Sequence, residues 1–176
     1  MTKNSLHTFI ERVRAIWGPL TTELVAACRD QLAELCQASD DEAWLAALHR
    51  EAPAARELYR DPIHGFVLLA HVEPHALYRP PHDHGRGWVI YAVQRGASEM
   101  ATYARVDDRL VQRDAAIMHP GQVRVFLPGD IHDTRCTSGP ALLFRFTDRD
   151  LRIEDTEARR VKRYVERDGR WTDGAA

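Results

Sequence analysis

The sequence predicts a mainly β domain, a sandwich or small barrel, preceded by a helical segment. Three observations carry this. Up to about residue 60 the apolar residues recur at the 3.6-residue period of a helix. From Gly65 onward the period changes to two, and turn residues arrive every 8 to 12 positions. A chain of 176 residues has room for one ordinary domain and little else.

Taken in order, Leu6, Phe9, Ile10, Val13 and Trp17 mark a first helix, which Gly18-Pro19 ends. Leu24, Val25, Cys28, Leu32, Leu35 and Cys36 form the stripe of a second. Ser39-Asp40-Asp41-Glu42 reads as a capping box opening a third, with Trp44, Leu45 and Leu48 as its buried face. Pro53 is expected to start a last short helix running to Tyr59. Strands follow at Phe66–Val72, Trp88–Val93, Met100–Val106, Val123–Leu127 and Ala141–Phe146. Turns separate them at Arg95-Gly96, Asp107-Asp108, Pro120-Gly121, Pro128-Gly129-Asp130 and Ser138-Gly139-Pro140. The tail repeats the pattern, with Tyr164–Arg167, an Asp168-Gly169 turn and Trp171. Residues 1–60 are thus assigned to a helical segment packed on a barrel, and 61–176 to the barrel and its tail, one domain overall.

Composition narrows the function. A chain of this length buries roughly two-thirds of its unfolded surface, so it needs no disulfide or structural metal to fold. A net charge of −2 argues against a dedicated nucleic-acid or membrane-surface binder. The basic run Arg159–Arg163 is interleaved with acids and reads as a solvated edge. Met1-Thr2-Lys3-Asn4 opens no apolar leader, and no stretch approaches a membrane span, so a cytoplasmic protein is expected. Cys28, Cys36 and Cys136 form no CxxC pair and read as small packing residues.

Nine histidines are the feature that composition does not explain. His82 and His84 lie two apart on an extended segment, so both side chains leave one face and converge. Pro128-Gly129-Asp130-Ile131-His132 places a third imidazole at a strand start after a tight turn. Three neutral imidazoles on one face of an ion leave other coordination positions open for water, oxygen or substrate.

Together these segments resemble the two motifs of the cupin superfamily, the small double-stranded β-helix (jelly-roll) barrels. The first is the H-x-H pair followed by a strand and a Gly turn, His82 to Gly96; the second is P-G-D-x-H, Pro128 to His132. The resemblance covers roughly residues 65–150. It implies a cupin barrel in which His82, His84 and His132 bind a metal. Many cupins carry a glutamate five residues after the second histidine; here that position is Val89. A three-histidine site narrows the resemblance toward thiol dioxygenases of the cysteine dioxygenase type, which use ferrous iron and dioxygen and also carry a short helical N-terminal region.

That resemblance implies an arginine holding the substrate carboxylate just before the first barrel strand, where Arg60 stands; its other reading is a surface ion pair with an acid such as Asp61. The family's Ser, His and Tyr relay along a late strand is missing: Leu143, Arg145 and Thr147 occupy the inward slots. An arginine aimed into a barrel must be paired or bind an anion. A register slip of one residue would instead turn Phe144 and Phe146 inward. His71 is a candidate general acid or base in the cavity, and Tyr91 and Tyr103 are candidate cavity phenols. The expected function is a metal-dependent oxidoreductase using Fe(II) and O2 on a small anionic molecule, with Arg60, Arg145 and His71 beside the metal. A non-catalytic metal- or ligand-binding cupin, and a Zn, Ni or Mn enzyme of another reaction type, are the alternatives. A homodimer is compatible with either.

Overall fold

The computed structural model describes residues 4–107 and 109–174, so Met1–Lys3 and the Asp108 half of one expected turn lie outside the described residues. Helix α1 (Ser5–Ile16) is capped by Asn4, whose side chain accepts from the His7 N–H, and it stops before Gly18-Pro19. Helix α2 (Thr22–Leu35) is capped by Thr21 in the same way and buries Leu24, Cys28, Leu32 and Leu35. Burial pushes the Cys28 and Cys36 thiols up to about 12, as expected of packing residues.

Helix α3 (Ala43–Glu51) starts three residues later than the capping box expects, with Glu42 itself at the N-cap. The Glu42 carboxylate does not reach back along its own helix. It accepts from Ser5 N at 2.9 Å, Ser5 Oγ at 2.8 Å and Trp44 Nε1 at 2.7 Å, stapling the start of α1 to α3. Two donors from Ser5 across a tertiary contact, together with the nearby Trp44 indole, outweigh the single local N–H that a capping box offers.

The helical segment ends at Glu51, not near residue 60. The expected helix Pro53–Tyr59 is strand β1 (Arg56–Arg60), antiparallel to β2 (Val67–Glu73) with Arg56 opposite Ala70. The unfilled edge of β2 offers this segment a ladder of backbone bonds, which overrides weak local helix propensity.

Two long strands build the barrel. β4 (Val89–Val106) and β7 (Ile131–Thr147) run antiparallel to each other, and each serves both sheets. In the first sheet the order is β1, β2, the second half of β7, the first half of β4, then β6 (Val123–Phe126). In the second it is β3 (Tyr78–His82), the first half of β7, the second half of β4, then β5 (Arg109–Met118). That is a double-stranded β-helix. The sequence signals at Arg95-Gly96 and Ser138-Gly139-Pro140 are therefore bends within continuous strands, not turns between separate ones. Gly96 takes φ +77, and a Cβ there would stand 2.6 Å from the Ser138 carbonyl oxygen and 2.8 Å from Ala141 Cα. Gly96→Ala is expected to destabilise the fold by about 2 kcal/mol or more, read as a lower midpoint in urea unfolding.

Strands β3 and β5 have no counterpart among the expected elements. β3 contains Pro80-Pro81, which lowers any strand signal, and β5 alternates poorly because most of its residues face solvent. The C-terminal hairpin is as expected: β8 (Tyr164–Arg167) pairs β9 (Arg170–Asp173), with Glu166 opposite Trp171.

Alternation along the first sheet sends residues to two cores. Phe66, Leu68, Ala70, Ile90, Ala92, Leu142, Phe144 and Phe146 pack outward against Phe9, Ile10, Val13 and the α2 stripe. Val89, Tyr91, Val93, Met100, Phe126 and Leu143 fill the barrel interior. Phe144 and Phe146 thus face the helices, and Leu143, Arg145 and Thr147 face inward, the register read from the sequence.

Asp61 belongs to this frame, not to Arg60. Its fully buried carboxylate accepts from Arg14 Nε, Tyr59 Oη at 3.1 Å, Ile63 N at 2.9 Å and His64 N at 2.7 Å. Burial opposes ionisation, but these donors outweigh it and hold the carboxyl well below the usual carboxylate range. A depressed folded pKa contributes stability above the unfolded carboxylate value of about 4 and loses it as pH falls below that. Thermal unfolding between pH 2 and 7 is expected to show this acid-side loss, and Asp61→Asn should flatten its slope while lowering the neutral-pH midpoint.

Candidate metal centre

Local geometry brings the first two histidines to the site. Pro80-Pro81 holds the chain extended to His82, the last residue of β3. The chain then turns through Gly85 at φ +62, where a Cβ would meet Glu154 Oε2 at 2.8 Å and Arg160 Cβ at 3.1 Å. His132 is the second residue of β7, following a turn in which Asp130 accepts from the Leu127 N–H at 2.7 Å. Because β3 pairs β7 with His82 opposite His132, sheet register alone places two of the three imidazoles side by side.

One nitrogen from each of His82, His84 and His132 lies within 4.8 Å of the others, the one such histidine cluster among the described residues. His82 Nδ1 donates to the Pro80 carbonyl at 2.8 Å, which leaves Nε2 as the free donor atom. His84 Nε2 and His132 Nε2 face each other across 2.9 Å. Metal–nitrogen bonds of about 2.0–2.1 Å at right angles put two nitrogens about 3 Å apart, so the spacing suits one divalent transition metal. Burial pushes all three imidazoles below their ordinary value, His84 and His132 furthest, while the Pro80 carbonyl opposes it at His82. All are thereby kept in the neutral, ligating form. Phe126 stacks on His132 with ring centroids 3.8 Å apart and fixes its plane. Val89, in the position where a glutamate ligand would stand, is fully buried among apolar residues inside the barrel.

His82 and His84 border a cavity of about 450 Å³. His71, Tyr91 and Arg145 line it, as do Glu73, Arg79 and Arg163. Arg145 lies opposite Tyr91 on β4 and opposite Leu69 on β2. Its Nε is buried with no hydrogen-bond partner, and among the described residues no carboxylate pairs with it. Burial raises the Tyr91 hydroxyl pKa, and the neighbouring Arg145 opposes the rise.

The remaining candidates fall elsewhere. Arg60 is bound by Glu57 at 2.6 Å and Asp150 at 2.9 Å and lines a separate chamber of about 330 Å³; the structure does not bring it to the histidines. That chamber shares only His71, Arg145 and Leu151 with the histidine cavity. Tyr103 donates to Asp133 at 2.7 Å, away from the cavity, and Tyr78 donates to the same carboxylate at 2.9 Å. Glu73 escapes sequence reading although it shares His71's face of β2 two residues on, a signal that strand alternation carries. Arg163 and Val161 line the cavity mouth from the basic run read as a solvated edge; only the fold of the tail back over the barrel places them.

No protein-family model matches the chain, and no curated protein matches it in sequence. Among solved structures, a protein of Bacillus halodurans superposes with a TM-score of 0.50 at 14% identity, over 58% of this chain and 74% of its own. KdgF of a Halomonas species follows at 0.45 and 16%, over 53% and 74%. The cupin domain of Schizosaccharomyces pombe Cnp3 gives 0.44 and 13%, over 58% of this chain and 64%, just under two thirds, of that structure. Strand order, with the likeness to the Bacillus halodurans structure, defines the fold as a double-stranded β-helix (jelly roll) with helices at its N-terminus. Within that fold the chain carries a three-histidine cluster suited to a metal ion. No helix among the described residues is long and apolar enough to cross a membrane.

Proposed function

We propose that this protein is a metal-dependent oxidoreductase of the dioxygenase type, using Fe(II) and O2 on a small anionic molecule, a thiol or a carboxylate. The observation that supports it is a three-histidine cluster, two of whose members line a cavity, together with an arginine in that cavity that no carboxylate pairs among the described residues. Ferrous iron held by His82, His84 and His132 would supply open coordination positions for dioxygen and substrate. Arg145 binds the substrate's anionic group through its planar donor fork and holds the rest of the molecule toward the histidines. Leu143, Leu151 and Tyr91 close the walls and exclude water. Three imidazoles do not select iron over Zn, Ni or Mn by themselves.

A second reading, a non-catalytic ligand-binding cupin, is favoured by the strand slots beside Arg145. Leu143 carries no proton-transfer group, and the Thr147 hydroxyl donates to the Arg149 carbonyl at 2.7 Å. Anaerobic purification, metal analysis and oxygen uptake against a panel of small thiols and hydroxy acids separate the two. Iron-dependent oxygen uptake with at least one of them, reduced more than tenfold in Arg145→Met, is the expected result. Full iron occupancy without uptake from any of them would leave the binding module.

A further inference from the structure

Three buried polar atoms without a hydrogen-bond partner line the same cavity: Arg145 Nε, His71 Nε2 and Glu73 Oε2. They come from adjacent strands and one face. Leu69 lies opposite Arg145 and His71 opposite Leu143, so His71 and Arg145 are diagonal neighbours on the inner surface of β2 and β7. His71 Nδ1 donates to the Ala54 carbonyl at 3.2 Å, which leaves Nε2 as a lone pair. Burial, then Arg145 and Arg79, push the His71 pKa down to about 4, so the ring is neutral at pH 7 and its Nε2 only accepts. Glu73 already accepts from Arg79 at 2.9 Å through Oε1, and its Oε2 is a further acceptor. The wall therefore offers one cationic donor and two acceptors. A bare anion would satisfy the first and leave the other two facing it with lone pairs.

Charge narrows the ligand further. Five ionised side chains line the cavity, and two pairs cancel: Glu73 with Arg79, and Asp155 with Arg163 at the mouth. Arg145 is left over. The protein wall by itself is left with one positive charge, a divalent ion on three neutral imidazoles would add to it, and a zwitterion would leave Arg145's charge uncompensated, so the site calls for an anion.

From this we infer that the substrate is a small hydroxycarboxylate, its carboxylate on Arg145 and its hydroxyl donating to His71 Nε2, with Glu73 Oε2 available to a second O–H. This rests on the reading of Arg145 as anion anchor proposed above and names the class of acid it takes. His71 is then a specificity residue, supplied from β2 where Leu143, Arg145 and Thr147, the inward slots of the second half of β7, carry no imidazole.

Lactate, propionate and alanine share one carbon skeleton and differ only in the group beside the carboxylate. Calorimetric titration of the full chain, both zinc-loaded and stripped by chelator, is expected to show lactate binding about tenfold tighter than propionate, with alanine weaker than lactate. The preference should hold in both metal states, because a preference confined to the zinc form would be chelation and would overturn the role of His71. His71→Phe is expected to bring lactate and propionate within twofold while keeping propionate affinity, and His71→Gln, which restores an acceptor, to recover part of the difference. Arg145→Met should lose both acids. Equal binding of lactate and propionate by the unmutated chain, lost in Arg145→Met, would overturn this inference and leave the anion anchor standing. Absence of binding by any of the three would overturn both.

Discussion

His84→Ala is expected to lower affinity for a divalent transition metal at least a hundredfold, measured by competition against a chromogenic chelator. Two facts set the size of the effect. His84 Nε2 sits 2.9 Å from His132 Nε2, so the two act as one clamp, and no carboxylate stands in the Val89 position to replace a lost imidazole. Losing a group that only hydrogen-bonds a ligating histidine typically costs about 10- to 100-fold in metal affinity, so loss of the imidazole itself belongs at or beyond the top of that range. The fold is not expected to depend on the metal, because a chain of this length buries two apolar layers, one on each side of the first sheet, large enough to hold it. The variant should therefore remain folded, with a melting temperature in chelator close to that of the unmutated chain. Unchanged metal affinity would remove the centre from consideration altogether.

Phe146→Ala carries the largest expected cost in stability, about 3–5 kcal/mol, enough to unfold a domain of ordinary stability at moderate temperature. Phe146 is fully buried where the helical layer meets the first sheet. Its ring lies 5.8 Å from Phe9, 5.6 Å from Phe66, 5.6 Å from Trp88 and 6.1 Å from Trp17. Truncation empties the centre of an aromatic cluster whose members come from α1, the loop after it, and the edges of three strands, so no single element can shift to fill the space. Guanidinium unfolding followed by tryptophan fluorescence checks it, since Trp17 and Trp88 report on the same cluster. A loss below about 1 kcal/mol would mean the helices contribute little to the barrel's stability.

Much of this architecture is legible in the sequence because it depends on local periodicity. The stripe Leu24, Cys28, Leu32 and Leu35 and the alternation Ile90/Ala92 against Val89/Tyr91/Val93 each identify both an element and its buried face. The same alternation correctly turned Arg145 inward. What failed failed at junctions. Segment 53–59 became a strand because β2 had an edge to fill, and Glu42 left its own helix because Ser5 and Trp44 offered more donors. Gly96 and Gly139 look like turn residues in sequence, and only the crossing of two long strands makes them bends.

The candidate site divides along the same line. By itself the sequence determined the candidate imidazoles and the shared face of His82 and His84, because H-x-H is a two-residue repeat on extended chain; the pairing of β3 with β7 is what brings His132 to them. Which other charges face that cluster was decided only by the tertiary structure. Arg60 and Arg145 are equal as sequence, yet Glu57 and Asp150 neutralise the first while among the described residues no acid pairs with the second. The physical reason is that a charge acts through its partners, and those partners lie up to ninety residues away, as Asp150 does from Arg60. Periodicity within a strand assigns a side chain to a face; only the pairing of strands assigns it a neighbour.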